Sequence, residues 1–171
     1  PAAAEKTNVD SFRELKAALD ETAGGLSKRV LAIRTPSIEW SFPLEIRAEA
    51  RIELAGDVGD RPVTLDASQC TRENGVCRHL TNFGTLTLRN LKFQGGSITK
   101  VPSGVFGMIF GTIDPPLFAG ALDNHGTITA ISDCVFEGNA VRTLGNAPAM
   151  GGAIRNAWGA TIGVIERTVF R

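Results

Sequence analysis

The side chains that could carry out chemistry are few in this 171-residue sequence. It has two histidines, His79 and His125, and three cysteines, and their spacing fits no zinc site. No serine lies in the strand, sharp turn and helix context that exposes a nucleophile in hydrolases. The sequence therefore predicts no catalytic residue, no bound metal and no cofactor.

Two of the cysteines could form a disulfide. Cys70 and Cys77 flank a short stretch that contains Asn74-Gly75, a pair that favours a tight turn. We expect a bridge if the protein matures in an oxidising compartment. The alternative is two buried free thiols that pack as small hydrophobic side chains. Cys134 is expected to be a buried thiol, because it falls on an inward-facing position of the repeat described next.

Three stretches of the sequence share one pattern, which organises the rest of the chain. Each begins with Asn, has Gly two or three residues later, continues with alternating apolar residues and closes on Phe. They span residues 82–93, 124–136 and 156–170, so their starts are 42 and then 32 residues apart. Such copies indicate a structural unit that stacks on itself, with loops of different length at one corner.

Stacking in register would place like side chains over one another. The apolar residues should then form one core, with a slip of one residue in the second copy. Leu86, Leu88, Leu91 and Phe93 would stack on Ile128, Ala130, Cys134 and Phe136, and these on Ile162, Val164 and Phe170. A polar ladder of side-chain amides would comprise Asn82, Asn124 and Asn156. The glycines expected to mark a sharp bend that tolerates positive φ are Gly84, Gly126 and Gly159.

An amphipathic helix is predicted near the start of the chain. Ser11 and Glu14 have the spacing of a capping box, in which the hydroxyl and the carboxylate each satisfy a free backbone amide. Phe12, Leu15 and Leu19 fall on one face of that helix. We expect the helix to span residues 11–23, after an N-terminal arm of residues 1–10, and to cap one end of the stacked strands.

After the helix, the spacing of the apolar residues changes from that of a helix to that of short strands. Their runs are separated by proline and glycine turns. The predicted strands are Val30–Ile33, Ile38–Trp40, Leu44–Ile46, Arg51–Leu54 and Val63–Leu65.

These features resemble a known fold. The N-terminal half is similar to the beginning of a right-handed β-helix of the pectin-lyase-like type. The C-terminal half resembles the repeats of polymorphic outer membrane proteins, through Gly151-Gly152-Ala153-Ile154 and Phe136-Glu137-Gly138-Asn139. The first copy departs from that repeat, because Phe93 is followed by Gln94-Gly95-Gly96. The resemblance implies an all-β fold, a single right-handed parallel β-helix (solenoid) over residues 11–171 with an N-terminal amphipathic capping helix.

The resemblance also suggests where an active site would lie. Pectin-lyase-like enzymes that cleave polysaccharides use clustered acidic residues, sometimes with calcium, and an Arg or Lys base, or paired aspartates. Asp123 and Arg155 occupy equivalent places in their copies, and Asp133 and Glu137 flank the strand of the second Phe. With no adjacent Asp pair and no family motif around them, we expect solvated charges, and we expect His125 to lie at a turn.

Two insertions interrupt the repeat, at residues 95–120 and 140–150. The first is unusually apolar for a loop, and long loops in compact domains are often functional. We expect it to dock on a protein partner or a membrane surface; the alternative is that it folds back as a local cover. The candidate docking residues are Val105, Phe106, Met108, Ile109, Phe110, Ile113, Leu117 and Phe118.

Composition narrows the functional classes. Eighteen basic and eighteen acidic residues balance, which argues against the basic surface of a nucleic-acid-binding protein. A glycan cleft is possible but disfavoured, because Trp40 and Trp158 are the only tryptophans and there is no Tyr. We expect the third copy to continue past Arg171, since it lacks a cap.

The sequence thus predicts a non-catalytic binding or structural module that contacts proteins or surfaces. One alternative is a peripheral subunit of a membrane-associated complex that docks through residues 105–118. Another is a polysaccharide lyase or hydrolase. The expected location is secreted, at the cell surface or in an organelle lumen.

Overall fold

The computed structural model describes residues 4–21, 27–70, 75–100, 117–143 and 149–171, and it is predominantly β. Within these ranges one helix, α1 (Phe12–Asp20), accompanies short strands that are joined by turns. No helix among the described residues has the length and apolar character needed to cross a membrane.

The strands fall into three larger sheets and a set of short pairs. The first sheet, here the long sheet, contains β1 (Glu5–Val9), β2 (Arg29–Ile33), β5 (Arg51–Gly56), β9 (Thr85–Arg89), β14 (Thr127–Ser132) and β19 (Thr161–Glu166). The phenylalanine sheet contains β3 (Ser37–Glu39), β6 (Val63–Asp66), β10 (Leu91–Gln94), β15 (Val135–Glu137) and β20 (Val169–Phe170). The asparagine sheet contains β4 (Leu44–Ile46), β8 (Leu80–Asn82), β13 (Leu122–Asn124) and β18 (Ile154–Asn156). The short pairs involve β7 (Val76–Cys77), β11 (Ser97–Lys100), β12 (Leu117–Phe118), β16 (Ala140–Thr143) and β17 (Ala149–Met150).

Every pairing in the three larger sheets is parallel. From β2 onward the chain visits the long, phenylalanine and asparagine sheets in that cyclic order. Each strand therefore pairs with the equivalent strand of the preceding or following copy. This arrangement of parallel sheets is compatible with a β-helix.

The registers confirm most of the predicted stacking. Asn82, Asn124 and Asn156 are partners along the asparagine sheet. Leu86 pairs with Ile128 and Ile128 with Ile162. Phe93, Phe136 and Phe170 form a continuous stack, with ring centroids 4.8 and 5.0 Å apart. Each such aromatic pair contributes about 0.5–1.5 kcal/mol beyond the burial of its surface.

Part of the predicted stacking is wrong by one residue. Leu88 pairs with Ile131 and not with Ala130, whereas Ala130 pairs with Val164 as predicted. The cause is a register shift between Ile128 and Ala130, where an extra residue enters the strand. The shift keeps the buried isoleucine of the second copy over the buried leucine of the first.

The helix packs its predicted face against one end of the sheets. The Ser11 hydroxyl accepts a hydrogen bond from the Glu14 amide, at 3.2 Å, as a helix cap should. Leu15 and Leu19 are buried, and Phe12 packs edge-on against Trp40 with centroids 5.1 Å apart. The helix begins as predicted and ends at Asp20; residues 22–23 of the predicted span lie outside the described residues.

Residues 5–9, predicted as part of an arm, form the strand β1. It pairs in parallel with β2, and Val9 is buried against the core. Outward-facing residues are tied to neighbouring strands by ion pairs, Lys6 with Asp57 and Glu5 with Arg29. This segment carries little strand signal because Val9 is its one apolar residue.

Two of the three predicted bend glycines are needed for space and not for their backbone angle. A Cβ atom at Gly84 would lie 2.3 Å from the carbonyl oxygen of Arg47, and one at Gly126 would lie 2.3 Å from that of Gly84. Only Gly159 of the three has a positive φ, of 82°. Close approach of successive copies therefore explains the first two glycines.

Candidate interaction sites

The two insertions leave the sheets at one corner. The root strand β11 of the first pairs in parallel with β16 of the second, and β12 pairs in parallel with β17. Strand β7 adds to β11 from the other side, in antiparallel orientation. We call these five strands the insertion corner. It lies between the phenylalanine and asparagine sheets, because the chain passes through it on the way from one to the other.

A buried acidic residue lies beside this corner. Asp123, on β13, is 4% exposed. Three basic side chains contact its two carboxylate oxygens. Arg78 approaches one oxygen at 3.1 Å and Arg155 the other at 3.0 Å, while the His125 Nε2 atom lies 3.3 Å away. Burial lowers the pKa of the Arg78 guanidinium, and Asp123 opposes that lowering. The carboxylate is thus fully engaged in structural contacts.

The same arginines hold the end of the first insertion. The Arg78 guanidinium donates hydrogen bonds to the carbonyl oxygens of Phe118 and Ala119. The Arg155 guanidinium carbon lies 3.5 Å above the centre of the Phe118 ring, in a cation–π contact. Leu117 and Phe118, both half-buried, are the two predicted docking residues that the structure describes. The other six lie at residues 105–113, outside the described residues.

The remaining acidic candidates are paired on the outside of the sheets. The Arg167 guanidinium donates hydrogen bonds to both carboxylate oxygens of Asp133, from Nε to Oδ1 and from Nη2 to Oδ2 at 3.0 Å, and these hydrogen bonds lower the pKa of Asp133. Glu137 lies 2.9 Å from Lys92, whose hydrogen bond is the main cause of its lowered pKa. The structure joins neither of them to Asp123. Asp133 and Glu137 are partly exposed, as expected of solvated charges. The same expectation is wrong for Asp123, which is buried under its arginine partners.

The two histidines occupy different surroundings. His79 is buried between Trp40 and Phe93, and its Nε2 atom lies 2.9 Å from the Leu65 carbonyl oxygen. Burial lowers the pKa of His79 to about 4. His125 instead stacks on a half-exposed ring at the turn after the asparagine sheet. Among the described residues no three His, Cys, Asp or Glu side chains are grouped to hold a metal ion.

The cysteines take the places that the sequence suggested. Cys70 and Cys77 form a disulfide beside β7, with Cα atoms 5.8 Å apart. Gly75 of the intervening turn has φ of 67°, whereas Asn74 lies outside the described residues. Cys134 is a buried thiol, and burial raises its pKa to about 11.

The asparagine ladder is continuous through three copies. The Asn82 amide donates to the Asn124 side-chain oxygen at 2.7 Å, and the Asn124 amide donates to that of Asn156 at 2.6 Å. The Asn156 amide turns back and donates to the Ala160 carbonyl oxygen at 2.9 Å. The ladder is therefore a structural device that aligns successive copies.

The third copy forms an open end. β18, β19 and β20 are each the last strand of their sheet. Four large apolar side chains are 45–49% exposed there, and Trp158 on the adjacent turn is fully exposed. The four are Val164, Ile165, Val169 and Phe170. We use "open end" for the three strands together with these four side chains.

One set of structural contacts at this corner could not be predicted from the sequence. Arg78 received no role from the sequence, although it touches Asp123 and both carbonyl groups at the end of the insertion. Its partners lie about 40 residues away in the chain, and no local pattern announces them. The pairing of Asp123 with Arg155 was visible from the repeat, because the two residues are register partners.

The chain shows no significant match to a protein-family model, a curated protein or a solved structure. The geometry of the insertion corner and of the open end is therefore the basis for assigning a function.

Proposed function

We propose that this chain is a right-handed parallel β-helix, of the pectin-lyase-like type with repeats like those of polymorphic outer membrane proteins, that serves as a non-catalytic protein-binding module. Two observations support the fold. The chain visits three parallel sheets in constant cyclic order, and equivalent residues of successive copies are register partners. Parallel strands joined in this way lie on the faces of one coil.

The state of the acidic candidates supports a non-catalytic role. A general acid or base must be free to reach a substrate proton. Asp123 is buried under two arginines, and Asp133 and Glu137 are each bonded to a neighbouring cation. Each pairing links adjacent copies and so has a structural purpose.

The observation that carries the binding role is the open end. Phe170 is 49% exposed, whereas its stacking partners Phe136 and Phe93 are 1% and 0% exposed. Ile165 is likewise half-exposed over the buried Ile131. Contiguous exposed apolar side chains of this kind mark contact surfaces. Complete burial of one such side chain contributes about 1.5–3 kcal/mol.

The backbone of the open end adds directional contacts. An edge strand carries unpaired N–H and C=O groups that can pair with a strand from another chain. Here the three edges lie at one end, so a partner can meet all of them together. Within the described residues these three strands have no further strand to pair with.

The disulfide supports the proposed location. A Cys70–Cys77 bridge forms and persists in an oxidising compartment, such as the cell exterior or an organelle lumen. We therefore propose one of these compartments as its location.

A capture experiment with matched variants tests the binding role. Val164 lies on β19 and Val30 lies in the same outward row of the long sheet, four strands away. Val164→Lys places a charge on the open end, and Val30→Lys places the same charge away from it. We expect the wild-type chain and Val30→Lys to retain proteins from the native source that Val164→Lys loses. Equal capture by all three would contradict the role of the open end.

A panel of polysaccharides tests the non-catalytic role. We expect no release of reducing or unsaturated ends by the purified chain. Turnover that survives Val164→Lys would instead establish a lyase or hydrolase.

A second candidate is a peripheral subunit of a membrane-associated complex that docks through residues 105–118. The contacts of Arg78 and Arg155 with Phe118 favour it, because they fix the end of this apolar segment at the surface. The triple change of Phe106, Ile109 and Phe110 to Ser should weaken association with the complex and spare the fold. Unfolding of that variant would contradict a docking role.

A further inference from the structure

We propose that His125 is a proton-sensitive switch that controls the contact between Arg155 and Phe118, at the end of the first insertion. When the imidazole takes up a proton, Arg155 leaves the Phe118 ring. This device goes beyond the proposed function, because it acts beside the insertion corner and does not involve the open end. It follows from the position of the imidazole between a carboxylate and a guanidinium, from the charges around it and from the unequal anchoring of two arginines.

The His125 ring lies between an acceptor and a donor. Its Nε2 atom is 3.3 Å from the Asp123 Oδ2 atom and 3.5 Å from the Arg155 Nη1 atom. A neutral ring can interact with either neighbour, by accepting from Arg155 or by donating to Asp123. The imidazolium carries a hydrogen on both nitrogens, so its Nε2 atom can only donate. Proton uptake therefore removes the favourable interaction with Arg155 and strengthens the one with Asp123.

One carboxylate serves all the cations found around His125 within the described residues. The charged groups there are Asp123 on its own strand, Arg155 on β18 and Arg78 just before β8. The acidic Glu45 shares the outward row of the asparagine sheet, but it lies two strands from Asp123, roughly 9–10 Å away. With a neutral imidazole, one negative charge faces two positive charges. Protonation changes this to one against three.

The pKa of Arg78 shows that positive charge is already crowded at this place. Burial is the main cause that lowers this pKa; the Asp123 carboxylate raises it, and the charge of Arg155 lowers it further. A third cation beside the same carboxylate adds to this repulsion, because its Nε2 atom would lie 3.5 Å from the Arg155 guanidinium in a partly buried site. One of the two arginines must therefore move when the imidazole becomes charged.

Arg155 is the arginine that can move. The Arg78 guanidinium is held from several sides, because it bonds to the carbonyl oxygens of Phe118 and Ala119 as well as to Asp123. Arg155 is the more exposed of the two, and its Nη1 atom makes both of the polar contacts described above. Its guanidinium carbon lies 3.5 Å above the Phe118 ring centre, so its departure uncovers one face of that ring. The backbone of Phe118 stays bound to Arg78.

Nuclear magnetic resonance of residues 1–171 tests the switch. The δ-methylene protons of Arg155 report the contact, because protons held above an aromatic ring resonate upfield of their ordinary positions. We titrate from about pH 8 to about pH 5, the range in which histidine ordinarily changes charge. At least half of the upfield displacement of the Arg155 protons should be lost, with the same midpoint as the His125 ring resonances. Constant Arg155 resonances while His125 titrates, or a His125 ring that stays neutral to pH 5, would overturn the proposal.

Two variants identify the group that takes up the proton. His125→Phe cannot be protonated and keeps a ring to stack on Phe83, so its Arg155 resonances should stay upfield throughout. His79→Gln is the matched control, because it removes the other histidine of the chain. It should leave the Arg155 titration unchanged, since the pKa of the buried His79 is about 4, below the range of the titration.

The reverse results would overturn the proposal. An unchanged Arg155 titration in His125→Phe would mean that another group takes up the proton. Loss of the titration in His79→Gln would assign it to the buried histidine. The midpoints of the wild-type chain decide alone if either variant fails to fold.

Discussion

The apolar side chains at the two ends of the stacked strands differ in how far they are covered. At the first end α1 covers the apolar residues, and Trp40 is 2% exposed beneath Phe12. At the open end the equivalent layer has no cover within the described residues, and Phe170 is 49% exposed. In a stack of parallel strands, the apolar side chains of each interior copy are buried by the copies on either side. The apolar side chains of a terminal copy have a neighbouring copy on one side only, so other residues must cover them. The contrast shows that a helix covers the first terminal layer, and that the last described layer has no such cover within the described residues.

The largest expected effect is at the capped end. Leu15→Asp should lower the free energy of unfolding by more than about 4 kcal/mol, because it removes a buried side chain and buries an unpaired charge. Val164→Asp, at the open end, should change it by less than about 0.5 kcal/mol. Urea unfolding of the two variants makes the comparison. An unchanged melting temperature for Leu15→Asp would mean that α1 is not a cap.

The phenylalanine stack gives a second comparison, within one row of side chains. Phe136→Ala should cost about 3–5 kcal/mol, since the ring is buried between two others. Phe170→Ala should cost about 1 kcal/mol, because half of its ring is already exposed. Denaturant titration at a concentration that keeps the chain monomeric measures both. Equal costs would show that the third copy is covered like the second.

The buried histidine near the capped end predicts a pH dependence. The pKa of His79 is about 4 in the folded chain, below its ordinary 6.5, so the unfolded chain binds the proton more readily between these values. The free energy of unfolding should therefore fall as pH drops from about 6.5 to 4, by up to about 3 kcal/mol. His79→Gln, which can retain a hydrogen bond to the Leu65 carbonyl, should flatten this part of the profile. The same slope in both proteins would contradict the assignment.

The disulfide should have a smaller effect. Reduction of Cys70–Cys77 should cost about 2.5 kcal/mol, as expected for a loop of this length. Alkylation of the unfolded, non-reduced chain should modify Cys134 alone, and intact mass gives the count. Three modified cysteines would show that the bridge is absent.

The repeat explains which parts of this arrangement could be predicted from sequence. Asn82, Asn124 and Asn156 align because the same residue recurs at the same place in each copy, and the capping pattern at Ser11 is local. The pairing of Leu88 with Ile131 was missed because the second copy has one extra residue in this strand. The alternation of apolar and polar residues does not show at which position the strand accommodates it. Strand β1 was missed because its own residues are mostly polar. It is stabilised by parallel pairing with β2, which the sequence of the segment does not show. The contacts of Arg78 depend on the path of a long insertion and have no local signal.

The comparison of the two ends is tested most directly by amide hydrogen exchange of residues 1–171. We expect the amides of α1 to exchange only with global unfolding, because Leu15 and Leu19 are buried, and the amides of β19 and β20 to exchange faster through local opening. Equal exchange at α1 and β19 would contradict the account.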